Sequence, residues 1–186
     1  MSEGKSIATG SELTAETWAD FVERLTYHCR GEGVQNHCTA SAIFIVQARR
    51  FIYGISDDYT DRLAIIYDDC CWHSAEKYYN DSDEAFQSML DEKAQDEYDE
   101  EFLDLETYQQ YEIIGDLEEH TVTGWDERWE FVCAHFTLEA AEAFIKRKGH
   151  DYRAGLRVYV DAQTYAWEFE AIKNAIMDGK LRFTEK

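Results

Sequence analysis

Apolar residues recur along this chain with two periods, and the switches between them divide it into elements. Thr14 stands where a helix cap is wanted, and Trp18, Phe21, Val22 and Leu25 follow at helical spacing, which predicts an amphipathic helix over Ala15–Cys29. Gly31 and Gly33 end it. Residues 1–11 are small and polar and are expected to fray. The run Ala42–Ile55 (AIFIVQARRFIYGI) is rich in β-branched and aromatic side chains, which favours a strand, although its length and paired arginines also permit a helix. Leu63–Tyr67 is short, apolar and bounded by Asp-rich turns, so it reads as a strand, and a hairpin through Ser56–Asp61 would join the two.

From Ser74 to Glu119 the pattern turns helical, in two or three pieces. Tyr98, Phe102, Leu105 and Tyr108 or Gln109 fall on one helical stripe, with acids on the other faces, and Gly115 and Gly124 mark loops. Trp129–Phe136 reads as a strand. Thr137 caps a helix over Leu138–Lys148, whose last turn carries Lys146, Arg147 and Lys148 at the negative end of the dipole, with Gly149 as its stop. Leu156–Val160 reads as another strand, and Tyr165–Met177 as a final helix ending near Gly179. The predicted fold class is α+β, or a small α/β arrangement, in a single domain over 1–186. Its parts are an N-terminal helix, a short β-hairpin, an acidic helical segment over 74–119 and a C-terminal strand–helix–strand–helix unit.

Charge changes the picture. The chain of 186 residues carries a formal net charge of −21, and all of it falls between Asp57 and Glu130, where 25 acids face four bases (Arg62, Lys77, Lys93 and Arg128). The other residues hold 14 acids and 14 bases. Such a field repels nucleic acid and anionic membrane, so direct contact with phosphates is not expected, and the complementary partner is a strongly basic surface. Asp91, Glu92, Asp96, Glu97, Asp99, Glu100, Glu101, Asp104 and Glu106 place nine carboxylates in 16 residues. On a continuous helix that is one charge per ~2.7 Å of axis, between the values for one strand and for both strands of duplex DNA. Mimicry of a nucleic-acid backbone is therefore physically open to this segment, and a solvated helix face is the plainer alternative.

Hydrophobic content of 45%, with 15% aromatics, suffices for a core. Met1–Gly10 lacks the apolar stretch of a secretory signal, and no run approaches membrane-spanning length. Five cysteines without scaffold spacing read as free thiols, so a reducing cytoplasm is the expected compartment.

Other chemistry is thinly signalled. His28 with Cys29 and His37 with Cys38 are competent zinc ligands, as are Cys70, Cys71 and His73, but none has the ligand spacing of a zinc finger. Asn80–Glu84 is acidic enough for calcium yet lacks the central glycine and terminal glutamate of an EF-hand loop. No nucleophile elbow and no phosphate-binding glycine loop occurs, so no catalytic residue is assigned, no cofactor is expected and a non-enzymatic protein is the reading. Lys146, Arg147, Lys148, Arg153 and Arg157 read as helix-end charges or partners for the protein's own acids or a second copy. Trp125, Trp129, Tyr159, Tyr165, Trp167 and Phe169 read mostly as core, with any exposed ring a contact anchor.

Three strings, GEGVQNHCTASAIF (31–44), YGISDDYTD (53–61) and FVCAHFTLEAAEAFIKRKGHDYRAGLRVYVDAQTYAWEFEAI (131–172), together resemble small proteins of bacteriophages and prophages, a group without an assigned function. The charge profile, by physical character and without a shared motif, is similar to that of DNA-mimic proteins which mobile elements use against restriction enzymes and CRISPR effectors. The two likenesses together imply a phage-encoded inhibitor in the bacterial cytoplasm. Its partner would be a basic host nucleic-acid-binding protein or defence complex, with a homodimer also open. An adaptor binding a host protein through aromatics, and a metal-binding protein or enzyme, are the alternatives.

Overall fold

A computed structural model describes residues 5–184. The protein is α+β, with seven α-helices and five strands among the described residues. The antiparallel strands β1 (Ala42–Ile55), β2 (Leu63–Tyr67), β3 (Cys70–Trp72), β4 (Thr121–His135) and β5 (Leu156–Ala162) follow the sheet order β3-β2-β4-β1-β5. Two compact units partition the chain, the first from 1–50 and 129–186, the second from 51–128.

In the first unit, helix α1 (Ala15–Arg30) starts where the sequence places it. The Thr14 hydroxyl accepts from Thr17 N–H at 3.2 Å, and Thr17 Oγ1 accepts from Thr14 N–H at 2.8 Å, satisfying two otherwise orphaned donors. Residues 1–4, part of the stretch expected to fray, lie outside the described residues. Ile7–Thr9 forms a 3-10 turn, anchored by the Ser6 hydroxyl donating to Asp20 at 2.6 Å. Helix α1 buries Leu25 and Cys29, with Trp18, Phe21 and Val22, against Ile176 and Met177 of α7 (Trp167–Met177). A short helix, α2 (Gly33–His37), precedes β1.

The ambiguity over Ala42–Ile55 resolves as strand. Ala42, Phe44, Val46 and Ala48 alternate inward and bury fully, which a helix would not do with residues two apart. Ala42, Phe44 and Val46 meet Leu156, Val158 and Val160 of β5 and Ala141, Phe144 and Ile145 of α6 (Leu138–Lys148). The β1–β5 register sets Phe44 opposite Val160 and Val46 opposite Val158.

The second unit holds α3 (Ala75–Asp81), α4 (Glu84–Tyr98) and α5 (Thr107–Gly115) around a core of Ile65, Tyr78, Leu90, Phe102, Ile113 and Ile114. Two expectations are corrected here. The hairpin through Ser56–Asp61 does not form, because β4 is the strand that pairs with β2, setting Leu63 opposite Gly124. The hairpin present joins β2 to β3 through Asp68 and Asp69, both at positive φ (46° and 60°), the mirror-type turn that short acidic residues tolerate. Gly124, expected in a loop, sits inside β4, and Gly115 closes α5. Among the described residues, no helix is long and apolar enough to cross a membrane.

Candidate functional site

The second unit carries 24 of the chain's acids against four bases, leaving the first with 15 acids and 14 bases. Its acidic stretch is built by caps that the sequence supplies. Ser74 Oγ accepts from Lys77 N–H at 3.1 Å to start α3, and Asp83 Oδ1 accepts from Phe86 N–H at 2.8 Å to start α4. Helix α4 stops at Tyr98, and Asp99 takes the left-handed conformation (φ 63°) as its C-terminal cap.

The continuous helix expected under Phe102 and Leu105 is therefore absent. Phe102–Asp104 forms a 3-10 turn between extended Glu101 and Leu105, and α5 begins only at Thr107. Phe102 and Leu105 are buried as expected, but through this turn rather than along a helical stripe, and Tyr108 is 67% exposed. The helical charge spacing applies only to Asp91–Tyr98, where four acids give one per ~3 Å of axis.

Of the nine candidate acids, Glu92, Asp96, Glu97, Asp99, Glu100, Glu101, Asp104 and Glu106 are exposed. Among the described residues none of these eight is ion-paired. Asp99 accepts a hydrogen bond from Gln95 Nε2 at 2.6 Å. Asp91 differs. It is half-buried, accepting from the Tyr79 hydroxyl at 2.7 Å and from Phe102 N–H at 3.3 Å, so it ties α3 and α4 to the 3-10 turn. The bond to Asp91 is the main cause that pushes the Tyr79 hydroxyl above its ordinary range. Two apolar side chains stand among the acids with solvent access, Leu103 and Tyr108.

Asp96 and Glu97 occupy the last turn of α4, and no basic residue joins them there. The carbonyl end of a helix is its negative end, so carboxylates there oppose the dipole by about 0.3–1 kcal/mol each. Local folding preference does not account for these acids.

The other candidates do not assemble. His28 Nε2 lies 3.0 Å from the Glu139 carboxylate, and His37 Nε2 lies 3.0 Å from the His28 carbonyl oxygen. Cys29 is buried and Cys38 exposed, and no group of three or more His, Cys, Asp or Glu is poised for a metal among the described residues. In the Asn80–Glu84 stretch, Asp81 accepts from Trp72 Nε1 at 3.1 Å, and Asp83 is the α4 cap. Cys133 Sγ and His135 Nε2 are 3.2 Å apart, a pair the sequence reading missed. Burial raises the thiol and lowers the imidazole, which favours the neutral pair over an activated thiolate. Lys146, Arg147 and Lys148 lie in the last turn of α6, with Lys148 bonded to Asp151 at 3.0 Å. Three aromatics read as core are exposed: Tyr165 by 88%, Trp167 by 75%, where α7 turns Lys173 and Ile176 inward instead, and Tyr159 by 47% on β5.

No family model matches this sequence, and no curated protein or solved structure matches it significantly. The site therefore stands on its own geometry.

Proposed function

We propose that the second unit is a polyanionic docking surface that enters the basic nucleic-acid-binding groove of a host defence or DNA-processing protein, as a mobile-element inhibitor without catalysis of its own. One observation carries this reading. Eight carboxylates between Glu92 and Glu106 point to solvent without cationic partners, and two of them sit where the helix dipole opposes them. Acids there weaken the fold, and an Arg- and Lys-lined groove is the surface that gains from them. Leu103 and Tyr108 add apolar contact within the same stretch.

The test replaces Asp96 by Asn and Glu97, Glu100 and Glu101 by Gln together. The parent protein should capture a host nucleic-acid-binding protein at about 50 mM salt, release it near 500 mM, and be displaced by duplex DNA. The fourfold variant, with an unchanged circular dichroism spectrum, should lose capture. Capture undiminished by the substitutions would end the proposal.

A second reading, an adaptor that binds a host protein through aromatic contacts, draws on the exposure of Tyr165 and Trp167. It predicts capture insensitive to salt and lost in Trp167→Ala.

A further inference from the structure

Strand β5 is the terminal strand of the sheet, hydrogen-bonded to β1 on one side. The bonds that flank the pair, Arg49 N–H to the Gly155 carbonyl and Gln163 N–H to the Ser41 carbonyl, fix which residues face β1. The odd-numbered residues 155–163 bond to β1, so Leu156, Val158, Val160 and Ala162 direct N–H and C=O to the open edge. Among the described residues, none donates to or accepts from the Val158 and Val160 backbone on that side. Natural edge strands are guarded by charged side chains (Lys above all), Pro, bulges or a covering element; LRVYVDA contains neither Lys nor Pro, and its two charges, Arg157 and Asp161, are of opposite sign.

We infer that this edge pairs with the same edge of a second copy, antiparallel and centred on Tyr159, to make a symmetric dimer. The register follows from the residues. A two-fold axis at Tyr159 sets Val158 opposite Val160 of the second copy and Leu156 opposite Ala162, so the four outward-facing residues meet each other and exchange about eight backbone hydrogen bonds. The odd residues then form the closer, non-hydrogen-bonded pairs: Tyr159 against Tyr159, and Arg157 against Asp161 in both directions. Arg157 is exposed and uses Nε on Gln47 Oε1 at 2.9 Å, which leaves its terminal nitrogens as donors. Asp161 accepts from Gln163 through Oδ2 and keeps Oδ1.

The strand is thus complementary to itself in hydrogen-bond parity and in charge, a property that an arbitrary partner strand does not share. The charge distribution points the same way. The second unit, at −20, repels a copy of itself, whereas the first, which contains β5, is nearly balanced. This pairing is independent of the proposed function of the acidic stretch.

Sedimentation of the full chain at several concentrations tests it. The parent should be a dimer. Val158→Pro removes an edge donor that β1 does not use, so it should be monomeric with an unchanged circular dichroism spectrum. Should that variant misfold, the charge variants decide. Arg157→Asp and Asp161→Arg should each weaken the dimer about tenfold or more by setting like charges opposite. The double exchange should restore it, and an equimolar mixture of the two single variants should form heterodimers. A parent that remains monomeric at about 100 μM overturns the inference. So does a dimer that survives both single charge reversals.

Discussion

The Tyr79 hydroxyl donates to the Asp91 carboxylate at 2.7 Å, and the same carboxylate accepts from Phe102 N–H. One acid thereby holds two helices and the turn that presents Glu100, Glu101 and Asp104. Tyr79 also stacks on buried Phe102, ring centroids 5.5 Å apart at 9°. Tyr79→Phe keeps the stacking and removes the bond, so it should lower stability by about 1–2 kcal/mol. Asp91→Asn should cost a similar amount, while Glu92→Gln, one residue away and exposed, should stay within about 0.5 kcal/mol of the parent. Urea unfolding of the three variants separates the scaffold acid from its neighbours. Equal losses for Asp91→Asn and Glu92→Gln would contradict the assignment.

Acids that oppose a helix dipole should stabilise the protein when they are removed. Asp96→Asn and Glu97→Gln should each raise stability by about 0.3–1 kcal/mol at low ionic strength, and the gain should shrink in high salt. Thermal melts at two salt concentrations measure this. Under the docking reading the same two substitutions should weaken partner capture, a trade of function against stability. A loss of stability on neutralising either residue would show that the acids serve the fold.

Much of the fold was legible because local signals agreed with one another. Around α6, a helical period, a basic last turn and Gly149 all point to Leu138–Lys148, and that is the helix present, with Thr137 at the N-cap position though its side chain makes no cap bond. The acidic middle was read less well. Phe102 and Leu105 were correctly placed in the core, but burial at a spacing of three fits a 3-10 turn as well as a helix, and periodicity cannot separate them over so few residues. Nothing local announces that Asp99 adopts the left-handed conformation. Strand order was the other miss, since β4 pairs with β2 from about 60 residues away, and sequence proximity favoured β1. For the site, hydrophilicity predicts exposure well for eight acids and fails for Asp91. Its partners, Tyr79 and Phe102 N–H, are set by tertiary packing.

Glu139 gives a pH signature in the first unit. Burial raises its carboxyl, but the hydrogen bond with His28, a bond from its own backbone N–H and, least, the charge of Arg24, whose Nη1 lies 3.3 Å away, overcome this and hold it below the ordinary carboxylate range. A depressed carboxyl stabilises the fold above its unfolded value, near 4.3, and that contribution is lost as pH falls through the folded value. The parent should therefore exceed Glu139→Gln in stability by about 1–2 kcal/mol at neutral pH. The gap should close on acidification below about pH 4. Denaturant midpoints from pH 7 to pH 3 follow it. A gap that persists undiminished at pH 3 would mean the glutamine fails for shape and not for charge.

The last prediction concerns the residue that lets β4 lie beside β2. Gly124 is buried in β4, opposite Leu63, and a Cβ there would lie 2.4 Å from the Ile55 carbonyl oxygen and 2.6 Å from Thr60 Cγ2. Both are closer than real contacts allow, and one is backbone that cannot rotate away. Neighbouring bonds fix the strand in place: Trp125 N–H donates to the Arg62 carbonyl at 2.9 Å, and Thr60 Oγ1 donates to the Trp125 carbonyl at 3.2 Å. Gly124→Ala should thus cost about 1–3 kcal/mol through overpacking. Gly115→Ala is the control. Its Cβ would meet only Val122 Cγ2, at 3.7 Å, so at the end of α5 it should be neutral or stabilising by up to about 1 kcal/mol. Adding Thr60→Ala to Gly124→Ala removes the side-chain contact and leaves the carbonyl, so most of the loss should remain. Full recovery in that double variant would place the constraint in Thr60 rather than in the backbone of Ile55.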